Sequence, residues 1–320
     1  MRLKSILFIL CLLMLIAGCA DREPDTASTF ALDTIVNIAV YEGKPAAEFT
    51  EEIEEYEKLF SPTVEGSDIY RINTAGGEAV KVSAETIELL ERCRYYYEIS
   101  GGRIDPTIGS VTSLWDFHGR DIVPYSAAIQ EALKHVGFDK VIIDSDSVRL
   151  DDPKMKLDPG FIAKGYIADK LMETGCSDVL INLGGNVSVC GEKPGGKAFR
   201  IGIEKPFSNG ESLVTVDISG KHSFVTSGNY ERYFEKDGQL YHHILDAKTG
   251  YPVENELSGV TILSEDATEA DALSTTCFVL GLEDGLKLIE NTPGVEALFI
   301  DKNLNVTVSS GFPEYKMTER

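Results

Sequence analysis

The chain has 320 residues, with 30 Lys and Arg against 52 Asp and Glu, a formal net charge of −22. So acidic a chain excludes phosphate-backbone recognition as its main business, since nucleic-acid binding needs a basic surface. With 43% apolar and 26% charged residues the composition is that of a globular protein, not a disordered one. Five His, and no HExxH or CxxC pattern, argue against histidine- or thiolate-based zinc chemistry.

Residues 1–18 read as an export signal. Arg2 and Lys4 give a positive start, and Ile6 to Ile16 is an apolar run too short to cross a membrane comfortably. Leu15-Ile16-Ala17-Gly18-Cys19 resembles a bacterial lipoprotein box, in which Cys19 is lipidated and becomes the mature N-terminus. A plain signal peptide or a signal anchor, with an incidental Cys, is the alternative. Loss of Arg2 and Lys4 with the leader takes the net charge to −24. Lipidation anchors the protein to the cell membrane from outside. Residues 19–29 are polar and predict a flexible tether. Export permits disulfides among Cys93, Cys176, Cys190 and Cys277. Cys93 and Cys277 lie in apolar, helix-like stretches, and four buried thiols remain as plausible as a bridge.

No repeat, low-complexity tract or linker divides residues 30–320, which predicts one unit with two lobes. Phe49, Ile53, Tyr56 and Phe60 recur at helical spacing between Pro45 and Ser61-Pro62. Ser83 caps a second helix that runs to about Ile99 and stops at Gly101-Gly102. Asp105-Pro106 is a further helix start, and 126–136 a short helix closed by Gly137. Strands follow at 141–143, at 179–189 around a Gly-Gly break, at 199–203 and at 213–218. Tyr230 to Phe234 and Gln239 to Leu245 flank Lys236-Asp237-Gly238 as a hairpin. A strand at 259–264, a helix from about Thr268 to Leu280 and a hairpin near 296–309 complete the chain. Hairpins outnumber strand–helix–strand units, so the expected class is α+β with largely antiparallel sheets and packed helices.

Five segments carry candidate chemistry. Leu157 to Tyr166 places Asp158, glycines and Lys164 before a helix, which suits an anion or metal site or merely a capped helix. Gly184-Gly185 allows close backbone approach to a ligand, or a bulge. Thr226-Ser227-Gly228 offers hydroxyls at a strand end, but no GxSxG context supports a serine nucleophile. His242 and His243 are strand neighbours, so one faces a cleft and the other solvent. Asp271 and Thr275 lie four apart on one helix face, a hard-oxygen pair that suits Mg²⁺ rather than zinc. No segment is decisive alone.

In order, GGRIDPTIG (101–109), LDPGFIAKGY (157–166), INLGGNV (181–187), TSGNYERYF (226–234), HHILDAKTGYPV (242–253) and ADALSTTCFVLG (270–281) resemble the ApbE family of FAD:protein FMN transferases, over nearly all of residues 30–310. The resemblance implies a single domain of two lobes with the active site between them. It implies that FAD is the substrate, that Mg²⁺ sits at its diphosphate, and that FMN passes to a Thr or Ser hydroxyl of an acceptor flavoprotein with release of AMP. Acceptors of the family include subunits of Rnf- and Nqr-type redox complexes and secreted flavoproteins. By motif, it implies metal contacts at Asp271, Thr275 and the Phe161 carbonyl. FAD contacts are implied at Leu32, Arg103, Ile104, Asp105, Asp158, Lys164, Ser227, Gly228, Ile244 and Thr249, and a catalytic role for His243. The chain departs from the pattern at Phe161, where Gly or Ala is common, and at Asp246-Ala247, where Asp-Pro is usual. It also departs at Ser61-Pro62-Thr63, where many relatives carry an aromatic. That last departure leaves hydrolysis of FAD to FMN and AMP as an alternative; FAD carriage without chemistry is a third, against which the intact His243, Asp271 and Thr275 argue.

Overall fold

A computed structural model of the chain describes residues 23–117, 119, 121–208 and 210–318. The leader and Cys19 lie outside the described residues. The strands are β1 (Asp25–Ala31), β2 (Thr34–Glu42), β3 (Val80–Lys81), β4 (Val141–Ile143), β5 (Ser147–Leu150), β6 (Asp178–Leu183), β7 (Asn186–Cys190) and β8 (Phe199–Glu204). They continue with β9 (Ser212–Ile218), β10 (His222–Gly228), β11 (Tyr233–Lys236), β12 (Gln239–His242), β13 (Leu257–Ser264), β14 (Glu296–Asp301), β15 (Val306–Val308) and β16 (Tyr315–Met317). The helices are α1 (Ala46–Phe60), α2 (Asp68–Thr74), α3 (Ala84–Ile99), α4 (Gly109–Thr112), α5 (Ser126–Leu133), α6 (Ala163–Gly175), α7 (Ala267–Leu280) and α8 (Leu282–Glu290).

The fold is built on one sheet of eight strands in the order β1-β2-β6-β7-β10-β13-β14-β15. Every named pairing in it is antiparallel, which bears out the α+β reading. Side chains alternate between its two faces. Val36, Ile38, Ile181, Leu183, Val260, Ile262 and Phe299 enter the main core with Phe49 and Ile53 of α1, Ile167 and Leu171 of α6, and Leu273 and Phe278 of α7. Val189, Phe224, Leu263, Leu298 and Ile300 meet Phe199, Ile201, Val214 and Val216 of the sheet β16-β9-β8 on the opposite face. Burial on both faces explains why β13 is buried along its whole length. A third cluster forms a smaller lobe, in which Val111, Trp115, Ile129, Phe234 and Leu245 pack together.

Several predicted elements form as expected. Ser83 accepts from the Thr86 N–H at 3.1 Å and caps α3. Asp237 and Gly238 take φ of 53° and 77°, the left-handed pair that a two-residue hairpin turn needs. Others shift. The flexible tether expected to run to residue 29 ends sooner, because Asp25–Ala31 pairs with β2 over seven residues. The helix expected at Asp105-Pro106 begins only at Gly109, since the Asp105 carboxylate closes a turn instead, accepting from the Thr107 N–H at 2.8 Å and the Phe138 N–H at 3.1 Å. The strand expected at Tyr230 starts at Tyr233.

Cys176, just beyond α6, is bonded to Cys190 at the end of β7, while Cys93 and Cys277 are free and buried. The bridge closes a loop between residues 14 apart and ties the end of α6 to the central sheet. Replacing both partners by Ser should lower unfolding free energy by about 3 kcal/mol, the loop-entropy cost for a closure of this length. Denaturant titration of the double variant checks this; an unchanged midpoint would show that the bridge contributes nothing.

Candidate active site

The N-terminus of α6 runs into the side of α7, and glycine makes the approach possible. A Cβ at Gly165 would lie 2.6 Å from Asp271 Cβ and closer still to the Ala267 carbonyl oxygen. At that crossing the Gly165 N–H, one of the donors that the first turn of α6 leaves without a helical partner, donates to Asp271 Oδ2 at 2.8 Å. Asn186, the first residue after the Gly184-Gly185 turn, donates its Nδ2 to Asp271 Oδ1 at 2.9 Å. The Asp271 residue is 4% exposed. Desolvation raises its carboxyl pKa; the Lys164 charge and the hydrogen bonds from Gly165 and Asn186 oppose that rise.

One turn along α7, Thr275 Oγ1 lies 2.9 Å from Ser227 Oγ, which is 2.7 Å from Ser274 Oγ. Beside the crossing, the Phe161 carbonyl has no hydrogen bond among the described residues, because the Gly165 N–H that could have reached back to it goes to Asp271. The Phe161 ring is turned toward Tyr96 instead, edge-on at 6.4 Å between centroids. Carboxylate, hydroxyl and peptide carbonyl are the oxygen donors a hard divalent cation prefers. A buried carboxylate with only neutral hydrogen-bond partners also lacks the counter-charge that a cation would supply. These residues fit Mg²⁺.

The two histidines behave differently, and neither faces solvent as an alternating strand had suggested. His242 is 3% exposed and packs edge-on against Phe278. Its Nε2 lies 3.0 Å from the Val253 carbonyl, and its Nδ1 accepts from the Ile244 N–H at 3.3 Å. Both contacts suit a neutral ring protonated on Nε2, and burial lowers the His242 pKa to about 4. His243 is half-buried, and its N–H donates to the Arg232 carbonyl at 3.1 Å. Desolvation, then the charges of Arg232, His242 and Lys164, push its pKa well below the usual value. Its Nδ1 is buried without a partner among the described residues, which calls for a ligand or water. Glu231 is exposed. Neighbouring protein around its carboxyl raises the pKa, an effect opposed by Lys164 and Arg232 and reinforced by Asp271.

The other expected contacts divide into two groups. Asp158 accepts from Thr112 Oγ1 at 2.9 Å and from the Gly160 N–H at 3.3 Å, which shapes the loop before α6. Arg103 Nε donates to Asp246 Oδ2 at 2.8 Å, and its carbonyl accepts from the Ala247 N–H, so the Gly101–Asp105 segment is latched to the turn after His243. Leu32 sits at the tip of the β1–β2 hairpin, its N–H donating to Glu57 Oε1 at 2.7 Å. Gly228 ends β10 where a Cβ would meet the Tyr230 ring at 2.5 Å. The side chains of Ile104 and Ile244 are core, and that of Asp105 is consumed by its turn, so their side chains are structural here. Thr249 is exposed and its Oγ1 accepts from the Tyr251 N–H at 3.3 Å. Asn186, Glu231 and Arg232 were not among the residues expected to act. All three stood inside quoted motifs, but only the fold shows what they neighbour.

The ApbE family profile matches residues 32–299. The chain belongs to the ApbE family. A Treponema pallidum protein named FAD:protein FMN transferase is 34% identical over 95% of this chain and 92% of its own length. A Klebsiella pneumoniae protein of the same name is 39% identical over 81% of this chain and 82% of its own. The crystal structure of the ApbE protein of Thermotoga maritima superposes with a TM-score of 0.79 at 33% identity, covering 89% of this chain and 96% of that one. The fold of that structure therefore extends over most of the described residues.

The His242 geometry predicts an acid-sensitive fold. Its folded pKa of about 4 lies below the unfolded value of about 6.5, so the unfolded chain binds the proton first as pH falls. Stability from this residue is complete above about pH 6.5 and declines toward pH 4, by about 3 kcal/mol in all. Denaturant midpoints measured across that window should drop, and His242→Gln should flatten the drop; an equally steep loss in the variant would move its origin elsewhere.

Proposed function

We propose that this protein is a Mg²⁺-dependent FAD:protein FMN transferase, which joins FMN from FAD to a Thr or Ser hydroxyl of an acceptor flavoprotein and releases AMP. What supports the reading is the Asp271 carboxylate held at the N-terminus of α6 by Gly165, with Thr275 one turn along α7 and Lys164 acting on both Asp271 and a neutral His243, in a family whose relatives bear that name. The acceptor oxygen forms a bond to the phosphorus on the riboflavin side of FAD. The bond from that phosphorus to the bridging oxygen breaks, and AMP leaves with the electron pair. The hydroxyl proton passes to His243 Nδ1 or to the Glu231 carboxylate. Lys164 and Arg232 add positive charge beside the diphosphate, on a chain whose net charge is −22. Mg²⁺ held by Asp271, Thr275 and the Phe161 carbonyl would neutralise the diphosphate and the charge that develops on AMP.

Hydrolysis of FAD to FMN and AMP is the second reading. Its support is the Ser61–Ser67 turn, where Thr63 is exposed and its Oγ1 lies 3.2 Å from Ser61 Oγ, a polar corner where many relatives carry an aromatic ring. We further infer export and lipid anchoring at Cys19, on the membrane's outer side. The Cys176–Cys190 bridge supports an oxidising compartment. Rnf- or Nqr-type redox subunits and secreted flavoproteins are the acceptor classes this location makes available.

Incubating the chain with FAD, Mg²⁺ and an Nqr-type flavoprotein subunit should place covalent flavin on that subunit. His243→Gln should slow labelling at least a hundredfold, the scale of a lost general base, and Asp271→Ala should abolish the Mg²⁺-dependent rate. Free FMN and AMP without labelling would establish hydrolysis instead; intact FAD would establish carriage.

A further inference from the structure

An apolar rim lies beside the mouth of this site. Phe30 and Ile35 stand opposite each other in the β1–β2 hairpin and are 72% and 62% exposed. Phe207, in the loop between β8 and β9, and Tyr233, at the start of β11, are 50% and 40% exposed, their ring centroids 5.2 Å apart. Phe207 also meets Tyr230 edge-on at 6.0 Å. The two halves are joined at the site itself. Asp33, at the hairpin tip, pairs with Arg232 at 3.5 Å, and the Arg232 carbonyl holds the His243 N–H.

These side chains do little for folding. Phe30 and Ile35 project from the sheet face opposite Ala31 and Val36, which are buried. Phe207 has φ of 58°, the left-handed region where a bulky residue is strained, yet its ring is half in solvent. An exposed, strained aromatic packed on Tyr233, the neighbour of the Arg232 that holds His243, marks a surface shaped for binding rather than for the core. Water needs no apolar rim, and the diphosphate of FAD needs charge. A polypeptide that must bring a hydroxyl to His243 needs both a path to the cleft and contacts outside it.

We propose that Phe30, Ile35, Phe207 and Tyr233 form the docking surface for the acceptor flavoprotein, gripping an apolar segment next to its receiving Thr or Ser. The proposal rests on the transferase reading. The exposed anchors bury aromatic and aliphatic area at the partner's surface, as interface hot spots do. The Arg232–Asp33 pair at their centre fixes the hairpin tip against the strand that leads to His243.

The test uses the chain from residue 20 onward, which keeps every described residue, and an Nqr-type flavoprotein subunit as acceptor. Flavin transfer is followed against acceptor concentration at saturating FAD and Mg²⁺, for the unaltered chain, the double variant Phe30→Ser/Ile35→Ser, and Phe207→Gly. FAD affinity is read from flavin fluorescence and folding from thermal melting. We expect kcat/KM for the acceptor to fall at least tenfold in both variants, about 1.4 kcal/mol, mainly through KM. FAD affinity should stay within twofold. Phe207→Gly should melt no lower than the parent, since glycine suits its φ. Unchanged kcat/KM in both variants overturns the docking surface. So does self-association of the unaltered chain that both variants abolish without loss of transfer, which would assign the rim to a second copy. No labelling by the unaltered chain would overturn the transferase reading itself, and the docking surface with it.

Discussion

The Asp271 carboxylate is where three separate parts of the chain are made to agree. It accepts from the backbone of α6 through Gly165 and from the β6–β7 turn through Asn186, and it is itself carried on α7. Glycine at 165 is what lets the two helices come close enough for this, since any side chain would strike the Ala267 carbonyl. The carboxylate is buried and raised in pKa, and the hydrogen bonds it receives from protein are neutral. Such a group is expensive to bury unless something positive completes it. Lys164 supplies part of that charge; in the proposed function a divalent cation supplies the rest.

The same electrostatics sorts the roles of the groups around it. Desolvation together with Arg232 and Lys164 keeps His243 neutral at physiological pH, so it can accept a proton but does not add a charge. The same two cations also lower the pKa of Glu231, but desolvation, which lowers that of His243, raises that of a carboxyl. Two groups beside Arg232 whose pKa values desolvation pushes in opposite directions are what acid–base chemistry on a hydroxyl would use. The acidity of the chain as a whole makes the local reversal informative. Amid 52 acidic residues, Lys164 and Arg232 stand together where an anionic dinucleotide would bind.

The fold was legible where local chemistry dominates. Phe49, Ile53 and Phe60 are buried as their spacing required, and Asp237-Gly238 makes its turn without help from elsewhere. β1 was not legible. Its DTASTFA sequence has little apolar alternation, because an edge strand needs only one neighbour and here exposes much of its outward face. The 176–190 bridge could not be read from spacing, since the ends of α6 and β7 meet only through the sheet. At the site, the order of motifs pointed to Asp271, Thr275, Lys164 and His243, and the fold brings Lys164 within electrostatic reach of Asp271 and His243. It could not show that the Asp105 carboxylate is spent on a turn, or that His242 is core. Nor could it show that Asn186 holds the carboxylate, because each depends in part on a distant segment: Phe138 for Asp105, Phe278 for His242 and Asp271 for Asn186.

In the proposed function a divalent cation at the substrate's diphosphate completes the buried Asp271 carboxylate. The most direct test is the thermal shift that Mg²⁺ produces with FAD bound, compared between the parent chain and Asp271→Asn. The account predicts a Mg²⁺-dependent rise in Tm for the parent. In the variant that rise should vanish, while Tm without ligands stays equal or higher, because a nearly isosteric amide removes a charge that is costly to bury. A variant that keeps the full Mg²⁺-dependent rise would contradict the account and place the cation elsewhere.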